Sequence, residues 1–247
     1  MLHSLDRLRS MEIRTSDPEP RTMSVVDLLF EESDLVVRYL VVDTGNWLPG
    51  RKVLVSPEAV IAIDDAARVL HTNLAARVVE EAPTIDADVP VSLEHRRALA
   101  RHYGWSAYTS FHPILGGYGW MRAGDVPPPD AGGIDERRMP PLRSADEVIG
   151  YDVHGTDEGI GTVDDLLVDA ATWALRYVVV DTRKWLPFSR KVLVPVAHLR
   201  AIAFLDRSVS FNLARDRIEA CPEFDGSLPM ATEDELAVLE AYEKAPI

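Results

Sequence analysis

Histidine and cysteine are the residues of this chain best suited to metal binding or nucleophilic chemistry, and there are seven histidines and one cysteine. His95 and His102 are seven positions apart, so on a helix both would lie on one face. No third ligand accompanies them, and a zinc site needs at least three protein ligands. We interpret both histidines as solvated or packed against the following segment, and we predict no metal site and no bound cofactor.

Two further groups have a simple structural interpretation. Asp152, His154 and Asp157 lie close together near a predicted turn, where they could hold an ion, but aspartate is a common turn-forming residue. Cys221 stands beside a proline at a predicted helix end, which favours packing of a small residue over a reactive thiol. Neither group predicts a catalytic site.

Motifs of catalysis are missing from the sequence. We find no nucleophile elbow, no phosphate-binding loop and no zinc-protease helix. The run Gly-Gly-Tyr-Gly at residues 116–119 is not followed by Lys and Ser or Thr, so it is interpreted as a plain loop. The sequence therefore predicts a protein that is not an enzyme.

The sequence Trp-Leu-Pro occurs twice in predicted hairpin turns and supplies the candidate functional residues. They are Trp47, Leu48, Pro49, Trp185, Leu186 and Pro187. Large apolar side chains are unusual in hairpin turns unless something covers them. Each tryptophan could fold back to plug its own domain or could form part of an interface, because exposed aromatic side chains often mark contact sites. Both roles hold if the two domains pack against each other.

These turns belong to an internal repeat with a spacing of about 138 residues. Residues 38–44 return as 176–182, and residues 51–55 return as 190–194. About 26 of the 60 positions from residue 27 to 86 are identical in the second copy. Such an ordered match indicates duplication of a whole domain, because solenoid repeats have periods of only about 20–50 residues.

The segment between the copies, residues 103–141, is rich in Gly and Pro, which indicates a linker. Aromatic residues in its first half predict that this half packs against a domain, whereas the Pro-rich half is expected to be extended. We expect a first domain over residues 1–105, a linker over 106–141 and a second domain over 142–247.

Each copy is predicted to contain five or six short strands followed by two short helices. Residues 36–43 are apolar on both faces, as is typical of a strand that is covered on both sides. The turn at residues 44–50 predicts a hairpin with residues 51–55. Asn73 is the predicted N-cap of a helix over residues 74–82, and Ser92 of a helix over 93–103 that ends at Gly104.

Composition and charge exclude several classes of protein. With 247 residues, the chain can hold two modest domains. Its formal net charge of −14 argues against direct binding to nucleic acid or to anionic membranes. The most apolar stretch, residues 35–42, is far shorter than the roughly 18 residues of a membrane span. Because no secretory signal is recognisable and cysteine is nearly absent, we expect a cytoplasmic protein.

The central hairpin carries a family resemblance. Both copies contain, in this order, the runs Arg-Tyr-(Leu/Val)-Val-Val-Asp-Thr, Trp-Leu-Pro and Arg-Lys-Val-Leu-Val. These runs resemble the central hairpin of PRC-barrel domains. Residues 150–153 and 159–163 resemble that family's first hairpin, whereas the first copy has an insertion at residues 17–22. The resemblance implies small β-barrels without a shared active site, similar to those of the photosynthetic reaction-centre H subunit and a ribosome maturation factor. Both proteins use the barrel mainly to dock other proteins.

The expected fold is mainly β with short helices (α+β). It consists of two small PRC-like β-barrels, each followed by two short helices and related by pseudo-two-fold symmetry. We expect a non-enzymatic tandem protein that acts as a protein–protein interaction or scaffold module, its barrels packed as an internal pseudo-dimer. The alternative is a small-molecule or ion-binding module with a pocket between the barrels. The protein partner is not identified, and self-association into a homo-oligomer stays open.

Overall fold

The computed structural model describes residues 1–85, 91–104, 141–182, 190–226, 230 and 232–243. Within these ranges the chain forms two seven-stranded sheets and a few short helices. Each sheet contains most of the strands of one repeat. The prediction of a mainly β protein is confirmed. Among the helices of these ranges, none combines the length and the apolar character needed to cross a membrane.

The described elements follow the same order in both repeats. The first repeat contains β1 (Leu2–Ser4), α1 (Leu5–Arg9), β2 (Glu12–Arg14), β3 (Thr22–Glu31), β4 (Val37–Asp43), β5 (Lys52–Val55), β6 (Val60–Asp64), β7 (Val69–Thr72), α2 (Ala76–Glu80) and α3 (Leu93–Tyr103). The second contains β8 (Leu142–Ser144), α4 (Ala145–Val148), β9 (Asp152–His154), β10 (Gly159–Asp169), β11 (Leu175–Asp181), β12 (Lys191–Pro195), β13 (Leu199–Ala203), β14 (Ser208–Phe211), α5 (Arg215–Glu219) and α6 (Thr232–Glu243).

Both sheets have the same strand order. It is β5-β4-β3-β2-β7-β6 in one sheet and β12-β11-β10-β9-β14-β13 in the other. The first hairpins also pair in the same register, with Glu12 opposite Ser24 and Asp152 opposite Thr162. The insertion at residues 17–22 lengthens the loop of the first hairpin. The hairpin of the second repeat has a register shift between Gly159 and Gly161, which the first hairpin lacks.

Each repeat places its first strand in the sheet of the other repeat. Strand β1 pairs antiparallel with β10, where Ser4 lies opposite Leu167. Strand β8 pairs antiparallel with β3, where Ser144 lies opposite Leu29. Neither strand was predictable from the sequence, because three residues are too few to show a periodic pattern.

The hairpin turns that follow β3 and β10 also meet. Val36 and Ala174 form an antiparallel bridge between the repeats. The N–H of Val37 donates to the carbonyl of Trp173 at 2.8 Å, and the N–H of Leu175 donates to the carbonyl of Leu35 at 2.9 Å. The junction between the repeats is therefore built from strand pairing as well as from side-chain packing.

Helix α3 covers the outer face of the central hairpin in the first repeat. Leu99 packs against Val41 and Leu54 there, which explains why β4 is apolar on both faces. The predicted cap is confirmed, because Ser92 Oγ accepts the N–H of His95 at 3.1 Å. Gly104 ends the helix with a φ of 70°, a conformation that glycine adopts readily.

The predicted N-cap at Asn73 is wrong. Helix α2 begins at Ala76, whose N–H donates to Asp17 Oδ2 at 2.7 Å. In the second repeat the N–H of Arg215 donates to Asp157 Oδ1 at 3.0 Å and lowers the pKa of that carboxyl. The loop of the first hairpin thus supplies the acceptor that a helix terminus needs, from a position distant in sequence.

Candidate interaction surface

Trp47 ends a short 3-10 turn between β4 and β5. Its side chain is half-buried and packs against the main apolar core, and its indole N–H has no hydrogen-bond partner among the described residues. Leu48 is half-buried and Pro49 is exposed. Trp185, Leu186 and Pro187 lie outside the described residues. The role of the two Trp-Leu-Pro turns as barrel plugs or as interface residues stays a prediction.

The other candidate residues, the histidines and the cysteine, make structural contacts. His102 Nε2 lies 2.7 Å from the carbonyl oxygen of Val78 in α2. Cys221 is buried, its Sγ donates to the carbonyl of Arg217, and burial raises the pKa of its thiol. No group of three or more His, Cys, Asp or Glu side chains is placed to hold a metal ion in the part of the chain that the structure describes.

Two aspartates at equivalent positions, the half-buried Asp27 and the buried Asp165, bind the segments that each repeat places in the sheet of the other. Asp27 Oδ1 accepts the N–H of Asp146 at 3.0 Å, and Asp27 Oδ2 accepts the hydroxyl of Ser144 at 2.6 Å. Asp165 Oδ1 accepts the N–H of Leu5 at 3.0 Å. Each carboxylate therefore satisfies the first turn of the helix that enters from the other repeat. Both aspartates begin an Asp-Leu-Leu run, at residues 27–29 and 165–167, but nothing in the sequence indicates what they bind.

Burial destabilises the charged form of these two aspartates, and the effect on the stability of the protein depends on pH. It raises the pKa of Asp27 and Asp165 above the ordinary value of 3.8, although the hydroxyls of Ser144 and Ser4 act in the opposite direction. Between 3.8 and the raised pKa, the folded state binds more protons than the unfolded state. The stability that these two groups contribute therefore falls as pH rises through that window.

The double variant Asp27→Asn with Asp165→Asn is expected to keep an oxygen acceptor at each helix without the buried charge. Its free energy of unfolding should rise relative to that of the wild type as pH increases from about 3 to about 7. Urea unfolding at a series of pH values measures this difference. A difference that stays constant with pH would show that the two carboxyls do not carry this cost.

An apolar cleft opens where the two repeats meet. Its volume is about 300 Å³, at the lower end of the range for small-molecule sites. Its lining consists of Met1, His3, Val60, Ile61, Ala62 and Ile63 from the first repeat, and Ala170, Ala171 and Trp173 from the second. Met1 and Ile61 are 67% and 66% exposed, so large apolar side chains stand open to solvent at this junction.

A buried histidine that is paired with an aspartate lies beside the cleft. His3 is 1% exposed, and its Nε2 donates to Asp65 Oδ1 at 3.0 Å. Arg7 donates to the carbonyl oxygen of Asp65 at 3.0 Å. Two further carboxylates, Asp64 and Asp169, directly follow or precede lining residues in the sequence. The cleft is thus apolar inside and has acidic neighbours.

The equivalent place on the opposite side of the junction has a different character. The N–H of Ala170 donates to the carbonyl of Met1, and the N–H of Glu32 donates in the same way to Pro141. Where the cleft has Ala170, that side therefore has Glu32, which pairs with Arg143 at 2.9 Å. The guanidinium of Arg143 also lies 3.9 Å from the centre of the Phe204 ring. This side is filled by paired charges.

The edge strands repeat this contrast. Each edge strand contains a register shift at which one residue is skipped in the pairing with the neighbouring strand. The skipped residue is Ile61 in β6 and Arg200 in β13. Both side chains are exposed. The two repeats therefore share a backbone arrangement but present an apolar residue on one side and a cation on the other.

Comparison with known protein families gives a match to the second repeat. A family model described as PRC-barrel domain matches residues 141–218. Residues 141–218 form a PRC-barrel domain. The match begins directly before β8 and ends within α5, so the PRC-barrel domain includes the strand that lies in the first sheet. No curated protein matches the chain.

Proposed function

We propose that this chain is a non-enzymatic tandem PRC-barrel protein that acts as a protein–protein interaction or scaffold module, its two barrels packed as an internal pseudo-dimer. The reciprocal exchange of β1 and β8, in equivalent registers, carries the proposal. A pair of subunits related by a two-fold axis makes this kind of self-complementary contact. The absence of a catalytic motif from the sequence supports a binding role.

The apolar cleft is the contact surface that we assign to the partner. Exposed apolar patches on soluble proteins mark sites of interaction more often than they occur by chance. Met1 and Ile61 form such a surface, whereas Arg143 and Glu32 occupy the equivalent place on the other side. The acidic neighbours favour a partner that inserts an apolar side chain between basic residues.

The variant Ile61→Arg tests this assignment by giving the first repeat the residue type that the second repeat carries at Arg200. We expect it to keep the fold and to lose at least about tenfold in capture of a partner from lysate of the native cell. The matched control is Leu205→Arg, because Leu205 is fully exposed in the turn between β13 and β14. Equal capture by wild type, variant and control would exclude the cleft as the contact surface.

The same cleft favours a second candidate function, the binding of a small molecule. Its volume of about 300 Å³ and its apolar walls suit a small apolar ligand. Native mass spectrometry of the purified protein separates the two functions. A bound small molecule that Ile61→Arg displaces supports this second function, whereas a stoichiometric protein partner supports the first.

A further inference from the structure

The two sockets that receive the exchanged segments fit residues of different size. Leu5 begins α1 and lies against Asp165, whereas Ala145 begins α4 in the socket that contains Asp27; both side chains are fully buried. A pair of two first repeats would place leucine in the socket that holds alanine. A pair of two second repeats would place alanine where leucine belongs. The first change crowds the socket, and the second leaves a cavity.

The bridge between the repeats shows the same difference in size. Val36 lies opposite Ala174. Because these positions are equivalent, two first repeats would set valine against valine, and two second repeats would set alanine against alanine. Only the mixed pair of a first and a second repeat sets a large side chain against a small one at this bridge.

Charge adds a second difference. Arg9 of α1 pairs with Asp146 of α4, and Arg143 of β8 pairs with Glu32 at 2.9 Å. The equivalent of Arg9 is Ile149, and the equivalent of Glu32 is Ala170. Two second repeats would therefore lack a cation for Asp146 and a carboxylate for Arg143.

From these contacts we infer that the junction is selective: each half of the chain recognises the other half and rejects a second copy of itself. The β1–α1 segment fits the socket formed by β10 and Asp165, and the β8–α4 segment fits the socket formed by β3 and Asp27. The inference rests on the internal pairing under the proposed function. Selective pairing keeps the residues of the first repeat that line the apolar cleft next to Ala170, Ala171 and Trp173 of the second repeat.

A cut chain tests the selectivity. A protease site is placed between residues 105 and 140 of the full-length protein, and part of the sample carries a mass tag. The folded protein is cut at this site. It is then unfolded in urea and refolded. Native mass spectrometry counts mixed and like pairs of halves. We expect mixed pairs to exceed like pairs by at least about tenfold. A random mixture, in which half of the pairs are like pairs, would overturn the inference while leaving the internal pairing intact.

A gain-of-pairing variant separates selectivity from simple loss of folding. Ala170→Glu supplies a carboxylate that Arg143 of a second copy would meet, so pairs of two second halves should increase by about fivefold. The matched control is Ala171→Glu at the next, exposed position, which should leave the distribution unchanged. No increase with Ala170→Glu, or an equal increase with both, would contradict the role of charge. Halves that separate as soon as the chain is cut would refute the internal pairing itself.

Discussion

Replacing Trp173 with alanine is expected to lower the free energy of unfolding by about 3–5 kcal/mol, the range seen when a buried aromatic side chain is removed. Trp173 is 9% exposed and belongs to the core to which both repeats contribute. Its carbonyl also accepts the N–H of Val37 across the junction. Guanidinium unfolding measures the loss. Leu205→Ala, at a fully exposed site, should change stability by less than about 0.5 kcal/mol.

The backbone at Trp173 adds a second, smaller effect. Trp173 has a φ of 57°, as does Leu35 at the equivalent position, and L-residues adopt this left-handed conformation at a cost. Glycine has no such cost, so Trp173→Gly should be more stable than Trp173→Ala by about 1 kcal/mol. An alanine variant as stable as the wild type would show that the ring does not hold the junction.

The central hairpin and helix α3 were predictable because their signals are local. The strand at residues 36–43 is rich in β-branched residues with no interruption, and β4 forms at Val37–Asp43. Ser92 and Gly104 bound α3 at the predicted positions. Local capping and periodicity determine such elements, whatever the rest of the chain does.

The strand exchange was not predictable, because it depends on contacts between positions more than a hundred residues apart. Strands β1 and β8 have three residues each, too few for a pattern, and they stay extended only against β10 and β3. The cleft was expected only in general terms, as a pocket between barrels. Its asymmetry arises from single residues such as Ile61 and Arg200, whose positions relative to the junction follow from the topology.

The difference between the first hairpins has a local cause as well. A Cβ atom at Gly161 would lie 2.0 Å from the carbonyl oxygen of Asp181, so the second repeat needs glycine there. The first repeat carries Met23 at the equivalent position, buried in its own sheet. Gly161 therefore reflects a close approach of two strands in the second repeat.

The reciprocal exchange predicts that the halves of the chain stay together when the connection between them is cut. Leu2, Leu5 and Leu8 of the first half are fully buried, and β1 covers part of β10. Separation would expose these leucines, which is unfavourable in water, and would uncover a sheet edge, which invites aggregation. The halves should therefore part only when the protein unfolds, in one cooperative transition.

The most direct measurement is the mass and unfolding of the chain after cleavage between residues 105 and 140. At micromolar concentration, size-exclusion chromatography with light scattering should give one particle with the mass of the intact chain, 27.4 kDa. Its fluorescence and circular dichroism should change together in urea. Two separate particles under native conditions, or two independent unfolding transitions, would show that the repeats do not complete each other's sheets.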